Sequence, residues 1–356
     1  MSLLAEPLTV IEGLDEFLSD RQPPGIPELR QGLREVLGWH EGLGHLIRQE
    51  PLRADVYRLY FALDDQTYSL IVKRLRPDLA QRNQWVAQHW LPAVGLGESG
   101  PPLLNSVAER HGESVWQIYT DLGEGVLAEN DPPLEQVKVV MELIACLHAR
   151  FAGHAWLGEC RVYGGDLGVH FFVVSVRDAL NSLERLRPPR LDLSAERLAL
   201  CQRLLQKIHC LHDQQSQRVE LMQKWGGPET LLHGNLKPRK ARIISTADEL
   251  RARLIGWEQA AVGLVVYDLA TFLSHLPLQQ RLWTLGLYHQ APETPRWPMP
   301  SLAQLNLLFD TAARARLANR LIWPAIAAWE SQADWAFDQL AQIDHELTIL
   351  KPLLPP

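Results

Sequence analysis

A chain of 356 residues with 46% hydrophobic residues is long enough to bury a large core and to divide into two or three domains. Its formal net charge of −7 argues against a dedicated nucleic-acid binder, whose domain is usually basic. Cys146, Cys160, Cys201 and Cys210 show no C-x-x-C spacing and stand in apolar or helical contexts, so they are read as buried reduced thiols rather than metal ligands or disulfides. The opening MSLLAEPLTVIEGLDEF carries acids and no early Lys or Arg, unlike a secretory signal. The longest apolar stretch, Leu254 to Leu273, is interrupted by Glu258 and Asp268, which disfavours a membrane span. A soluble cytoplasmic protein without nucleic-acid or membrane partners is expected, with no internal repeat.

In chain order, residues 1–44 read as an extension packed on a first lobe. A Pro/Gly connector runs from Asp20 to Pro27, and Leu29, Leu33, Val36 and Leu37 have helical spacing. From His45 the period changes to two. Tyr57, Leu59, Phe61 and Leu63 suit a half-buried strand, Asp64-Asp65 a hairpin turn, and Tyr68, Leu70 and Val72 a second strand ending at Lys73. Leu79 to Gly97 is helical and contains no acid before Glu98; Gln81, Gln84 and Gln88 oppose a side formed by Trp85, Val86, His89 and Trp90. Leu103-Leu104 and Val115 to Tyr119 read as further strands. Asp121 then opens Thr120 to Gly125, where it suits a turn or a helix cap.

Leu134 to Phe151 is an amphipathic helix on which His148 is read as a packed core histidine. Pro188-Pro189 interrupts the next helical region, and Ser194 starts a helix running towards Trp225. His209, His212 and Asp213 share metal-like spacing on it, but no second ligand pair is visible, so no metal is assigned. Beyond Leu273 three helices are expected, Gln279 to His289, Leu302 to Ile322 and Pro324 to Leu350. Trp283, Trp297, Trp323, Trp329 and Trp335 are read as packing residues, with an aromatic substrate cage as the alternative.

Two short apolar runs, Leu231-Leu232 and Leu254-Ile255, each deliver a polar cluster: His233-Gly234-Asn235 and Gly256-Trp257-Glu258. The pair resembles the catalytic and metal loops of the aminoglycoside phosphotransferase/choline kinase family, written H-G-D-x-x-x-x-N and then I-D-W/F-E followed by Y-D-L-A. Tyr267-Asp268-Leu269-Ala270 matches the last motif, and LIACLHARF resembles a helix of the same family. The resemblance implies an α+β, bilobal protein kinase-like fold. Its parts would be a five-stranded antiparallel N-lobe over 45–119, a hinge at 120–125, and a helical C-lobe over 126–356 carrying both loops. It further implies that Lys73 grips nucleotide phosphates, that Asp121 lies at the adenine-receiving hinge, that Lys237 matches the lysine of D-L-K-P, and that Asp268 braces the loop.

The departures matter as much as the matches. Asn235 replaces the aspartate that takes the acceptor's proton, a contribution typically worth about 10²–10⁴ in rate. Lys240 and Gly256 replace the two magnesium ligands, so no catalytic set is intact and no metal is expected. The acid-free helix offers no glutamate to hold Lys73, which is expected to be poorly fixed. The turn Glu50 to Asp55 lacks a phosphate-covering glycine. Lys73, Lys237 and Lys240, with Glu258, suit an anion or ATP without magnesium; a solvated basic loop is the plain alternative. The expectation is a pseudokinase binding a small molecule or partner protein as regulator or scaffold. The competing expectations are a small-molecule kinase or other nucleotide-using transferase, with Glu258 or an unassigned acid holding the metal, and a purely structural subunit.

Overall fold

The computed structural model describes residues 11–17, 23–38, 44–63, 66–187, 193–245 and 249–355. Two compact units emerge, Met1–Val126 with Lys240–Gln259, and Leu127–Arg239 with Ala260–Pro356. The first boundary falls beside the expected hinge. The segment carrying Lys240, Gly256 and Glu258, expected in the helical lobe, instead belongs with the first unit.

The first described elements are β1 (Ile11–Glu12) and α1 (Ile26–Leu37), then β2 (Gly44–Arg53), β3 (Val56–Leu63) and β4 (Gln66–Leu75). After α2 (Pro77–Trp85) a π-helical turn, Val86–Trp90, leads to α3 (Leu91–Ala93), β5 (Leu103–Ala108) and β6 (Val115–Thr120). The sheet order is β1-β2-β3-β4-β6-β5. All its pairs are antiparallel except β1 with β2, where Ile11 stands opposite Gly44 in a parallel register. The expected five-stranded sheet therefore gains a sixth, edge strand from the extension.

The period-two pattern does what it predicts. Tyr57, Leu59, Phe61 and Leu63 of β3 are buried together with Trp116 and Ile118 of β6, and Leu14, Phe17, Leu29 and Leu33 of the extension close over them. Burying each such large side chain contributes about 1.5–3 kcal/mol, so the extension is part of the core rather than an appendage. Polar anchors fix it: Trp116 donates its indole N–H to the Pro24 carbonyl (3.0 Å), and Arg34 pairs with Asp15 (3.0 Å). On the helical stretch after β4, Val86 and Trp90 are buried as expected, but His89 is exposed.

The second unit begins with α4 (Leu134–Phe151), α5 (Leu157–Tyr163), β7 (Asp166–Leu167) and α6 (Val169–Glu184), followed by α7 (Ala195–Asp213), α8 (Gln215–Trp225) and β8 (Glu229–Leu232). The chain then returns to the first unit for β9 (Ala241–Ser245) and β10 (Leu250–Leu254), an antiparallel pair. It re-enters the second unit at β11 (Ala261–Leu264), which pairs antiparallel with β8 and parallel with β7. Helices α9 (Val266–Ser274), α10 (Leu278–Gln290), α11 (Leu302–Ser331) and α12 (Asp334–Ile349) complete it.

Two helix expectations change. The helix capped by Ser194 breaks at Gln214 into α7 and α8. The break expected at Pro324 is absent: α11 runs through Pro324 and stops at Gln332, which has φ +50°. A mid-helix proline typically costs about 3 kcal/mol. Here the buried stripe Leu317, Leu321, Ala325 and Ala328 continues past it, and the reciprocal Ser301/Gln304 capping box secures the start. Asp64-Asp65 and Pro188-Pro189 lie outside the described residues. Among the described residues no helix is long and apolar enough to cross a membrane.

Candidate functional site

In the first unit the chemistry collects around one carboxylate. Lys73 sits near the end of β4, opposite Val56 on β3 and Gln117 on β6, and its Nζ pairs directly with Oε1 of Glu258. Lys240 ends the turn before β9; its Nζ stands 3.8 Å from the other Glu258 oxygen. Arg82 of α2 donates to the Glu258 main-chain carbonyl (2.7 Å), fixing the loop from a third side. The expectation that Lys73 is poorly held is thus overturned: the absent helix glutamate is replaced by an acid from a segment far along the chain. Burial, with Arg53 and Lys240 as further positive charges, pushes Lys73 down to about 6. The carboxylate on its Nζ pulls the other way.

Gly256 has φ +79°, a conformation that glycine adopts without strain. A β-carbon built there would overlap the Lys240 Nζ and come within 3.2 Å of a Glu258 oxygen. The ammonium therefore occupies the space into which any side chain at 256 would project. Ile255 N–H to the Lys240 carbonyl (2.9 Å) holds the two segments in this register.

Asp121 stands in a turn. Its carboxylate accepts from Gly123 N–H (3.0 Å) and from Arg58 Nη2 (3.4 Å), lies 2.8 Å from Arg58 Nε as an ion pair, and both side chains are nearly enclosed. The glycine-free turn after β2 finds another solution: Asp55 adopts φ +58° and pairs with Arg74 at 2.7 Å.

The second unit holds the other loop. His233 is fully buried, and its N–H and that of Gly234 donate to the two oxygens of Asp268, at 2.7 and 3.0 Å. Asp268 is thus a main-chain brace. His148, the expected core histidine, is fully buried between Asp268 (3.5 Å) and the Tyr288 hydroxyl (3.0 Å). Burial pushes the Asp268 carboxyl up, but the hydrogen bond and charge of His148, with His233 and Arg316, outweigh it and hold the group below the usual aspartate range. Asn235 follows, half-buried, its N–H donating to His233 Nδ1 (3.3 Å). Lys237 is half-buried, pushed down by burial and by Arg239, with Glu129 opposing.

Other expectations are modified. Cys160 and Cys201 are buried free thiols, but Cys146 is half-buried and Cys210 exposed. His209 pairs with Glu184 (3.3 Å), and among the described residues no three His, Cys, Asp or Glu cluster as metal ligands. Of the tryptophans read as packing, Trp297 is buried and donates to the Trp225 carbonyl (2.8 Å); Trp283, Trp323, Trp329 and Trp335 are substantially exposed. Sequence reading missed Arg58, the partner of Asp121, and Arg316 of α11, whose Nη1 donates to the Gly234 carbonyl at 2.8 Å. Neither carries a local signal, because each meets its partner only through tertiary packing.

No protein-family profile and no curated protein sequence matches this chain. Solved structures do. A Plasmodium vivax ethanolamine kinase is 10% identical, with 96% of this chain and 98% of that chain covered at a TM-score of 0.58. A macrolide 2'-phosphotransferase from Brachybacterium faecium is 16% identical (85% and 92% covered, TM-score 0.51), and a spectinomycin phosphotransferase 11% identical (91% and 95%, 0.51). The chain has the protein kinase-like fold that these small-molecule kinases and phosphotransferases share.

Proposed function

We propose that this chain is a catalytically impaired, aminoglycoside phosphotransferase-like pseudokinase that binds an anionic ligand or a partner protein and works as a regulator or scaffold. The observation that carries this reading is Lys240, whose ammonium fills the space over Gly256 and faces Glu258. Enzymes of this fold that move phosphoryl groups depend on acids that hold magnesium against the phosphates and on a carboxylate that takes the acceptor's proton. The residues here do not fit a divalent cation. Position 256 offers no side chain, the neighbouring group is a cation, and the one remaining carboxylate, Glu258, is engaged by two lysines. Asn235 orients a hydroxyl but does not accept its proton.

The same arrangement suits an anion. Lys73 and Lys240 share a single carboxylate in a nearly enclosed cluster where the field of a charge is little screened, and an arriving anion would favour the charged form of Lys73 that burial opposes. An incoming phosphate group would draw Lys73 and Lys240 away from Glu258 without needing a metal. Differential scanning fluorimetry with ATP, with and without magnesium, tests this alongside an assay for ADP release. The expected result is stabilisation by ATP alone, no gain from magnesium, and no ADP. Stabilisation that requires magnesium, or turnover, would instead support a working small-molecule phosphotransferase with rearranged groups.

A further inference from the structure

We infer that Arg316 and Tyr267 form an anion-binding site in the second unit, taking one carboxylate or phosphate group on the free edge of the guanidinium. Arg316 lies in α11 and uses only Nη1, on the Gly234 carbonyl (2.8 Å). Its Nε and Nη2 are enclosed and have no hydrogen-bond partner among the described residues. These two nitrogens are the side edge of the guanidinium, with parallel N–H bonds spaced to meet two oxygens of one carboxylate or phosphate. Enclosed polar groups are nearly always paired, and an enclosed, permanently charged fork without a partner points to a missing ligand.

Four neighbours strengthen the assignment. Asp268 is the acid acting on Arg316, yet its oxygens are taken by the N–H groups of His233 and Gly234, so it does not close the fork. The Tyr267 hydroxyl is also enclosed and without a partner among the described residues, and its ring centre lies 5.5 Å from the guanidinium carbon. Arg239 and Arg320, which with Arg316 bear on Lys237, add positive charge to the same surroundings. The site adjoins Gly234 and Asn235, the loop at which the phosphotransferase resemblance is most specific, but it requires neither a nucleotide nor the lysine cluster of the first unit.

Isothermal titration of the full chain with inorganic phosphate and, separately, with acetate tests the assignment. We expect saturable binding of at least one anion, weakened at least about tenfold in Arg316→Lys, which keeps the charge but loses the fork, and reduced in Tyr267→Phe. The tighter anion identifies the group as phosphate or carboxylate. If Arg316→Lys does not fold, Tyr267→Phe and a wild-type crystal grown with the tighter anion decide, the expected density bridging Nε and Nη2. Absence of saturable binding, equal affinity in a folded Arg316→Lys, a lone water on the fork in the anion-grown crystal, or loss of binding in Lys240→Gln but not in Arg316→Lys would each overturn the site.

Discussion

Glu258 in the first unit and Asp268 in the second are both enclosed carboxylates held by more than one donor, yet the donors differ in kind. Asp268 is held by two main-chain N–H groups and a buried histidine, which makes it part of the backbone's own hydrogen bonding. Glu258 is held by two lysine side chains, which makes it the counter-charge of an otherwise all-positive cluster. One acid braces a loop, and the other compensates charge. Removing the first should disrupt structure at neutral and alkaline pH alike, whereas removing the second should create a defect that alkali repairs.

The largest expected effect is that of Asp268→Ala. It leaves two buried N–H groups without an acceptor and His148 without its acid, and urea denaturation should show a loss of about 3–5 kcal/mol. In the wild type the folded-state carboxyl lies below its unfolded value. Its contribution is therefore complete above the ordinary aspartate range and lost as pH falls through the folded value, giving an acid-unfolding branch that Asp268→Asn should flatten.

Next comes Glu258→Gln, which strands two enclosed ammonium groups and should cost roughly 3 kcal/mol at neutral pH. With the carboxylate gone, the folded state binds Lys73's proton less well than the unfolded state does. Stability should then be lowest in acid, where both states carry that proton, and recover as pH rises towards the ordinary lysine value, whereas the pH-dependent contribution of Asp268 is confined to the acid range. A loss that does not depend on pH would dissolve the distinction between brace and counter-charge.

Gly256→Ala is expected to destabilise by about 1–3 kcal/mol, because a side chain at φ +79° is strained and its β-carbon displaces the Lys240 ammonium beside Glu258. Adding Lys240→Asn should recover part of this, giving a non-additive cycle; additive costs would mean that Lys240 does not fill the space over Gly256. The smallest effect should be Glu293→Gln, which removes an exposed pair with Arg150 worth less than about 1 kcal/mol. The Arg150 guanidinium holds the Glu293 carboxyl down to about 2, so even this small contribution is present at neutral pH and lost only in strong acid.

Much of the fold was legible because it rests on local patterns. The alternation through Tyr57, Leu59, Phe61 and Leu63 specifies a strand with one buried face, and Ser194 lies where a helix start needs it. The brace at Asp268 was legible for a related reason, since its partners are main-chain groups of the loop that the motif itself marks. Pro324 misled because a local rule about helix breaking gave way to a buried stripe that only the packed bundle completes.

The sequence by itself determined which residue types stand at the altered positions: asparagine at 235, lysine at 240 and glycine at 256, with a small sheet followed by a helical region around them. Only the tertiary structure decided what those changes do together. It placed 240–259 with the first unit, set the Lys240 ammonium over Gly256, and gave Lys73 the acid that its neighbouring helix lacks. Charge pairing acts over a few ångströms regardless of how many residues intervene, so an ion cluster built from β4, a turn before β9 and a loop after β10 leaves no periodic trace in the chain that forms it.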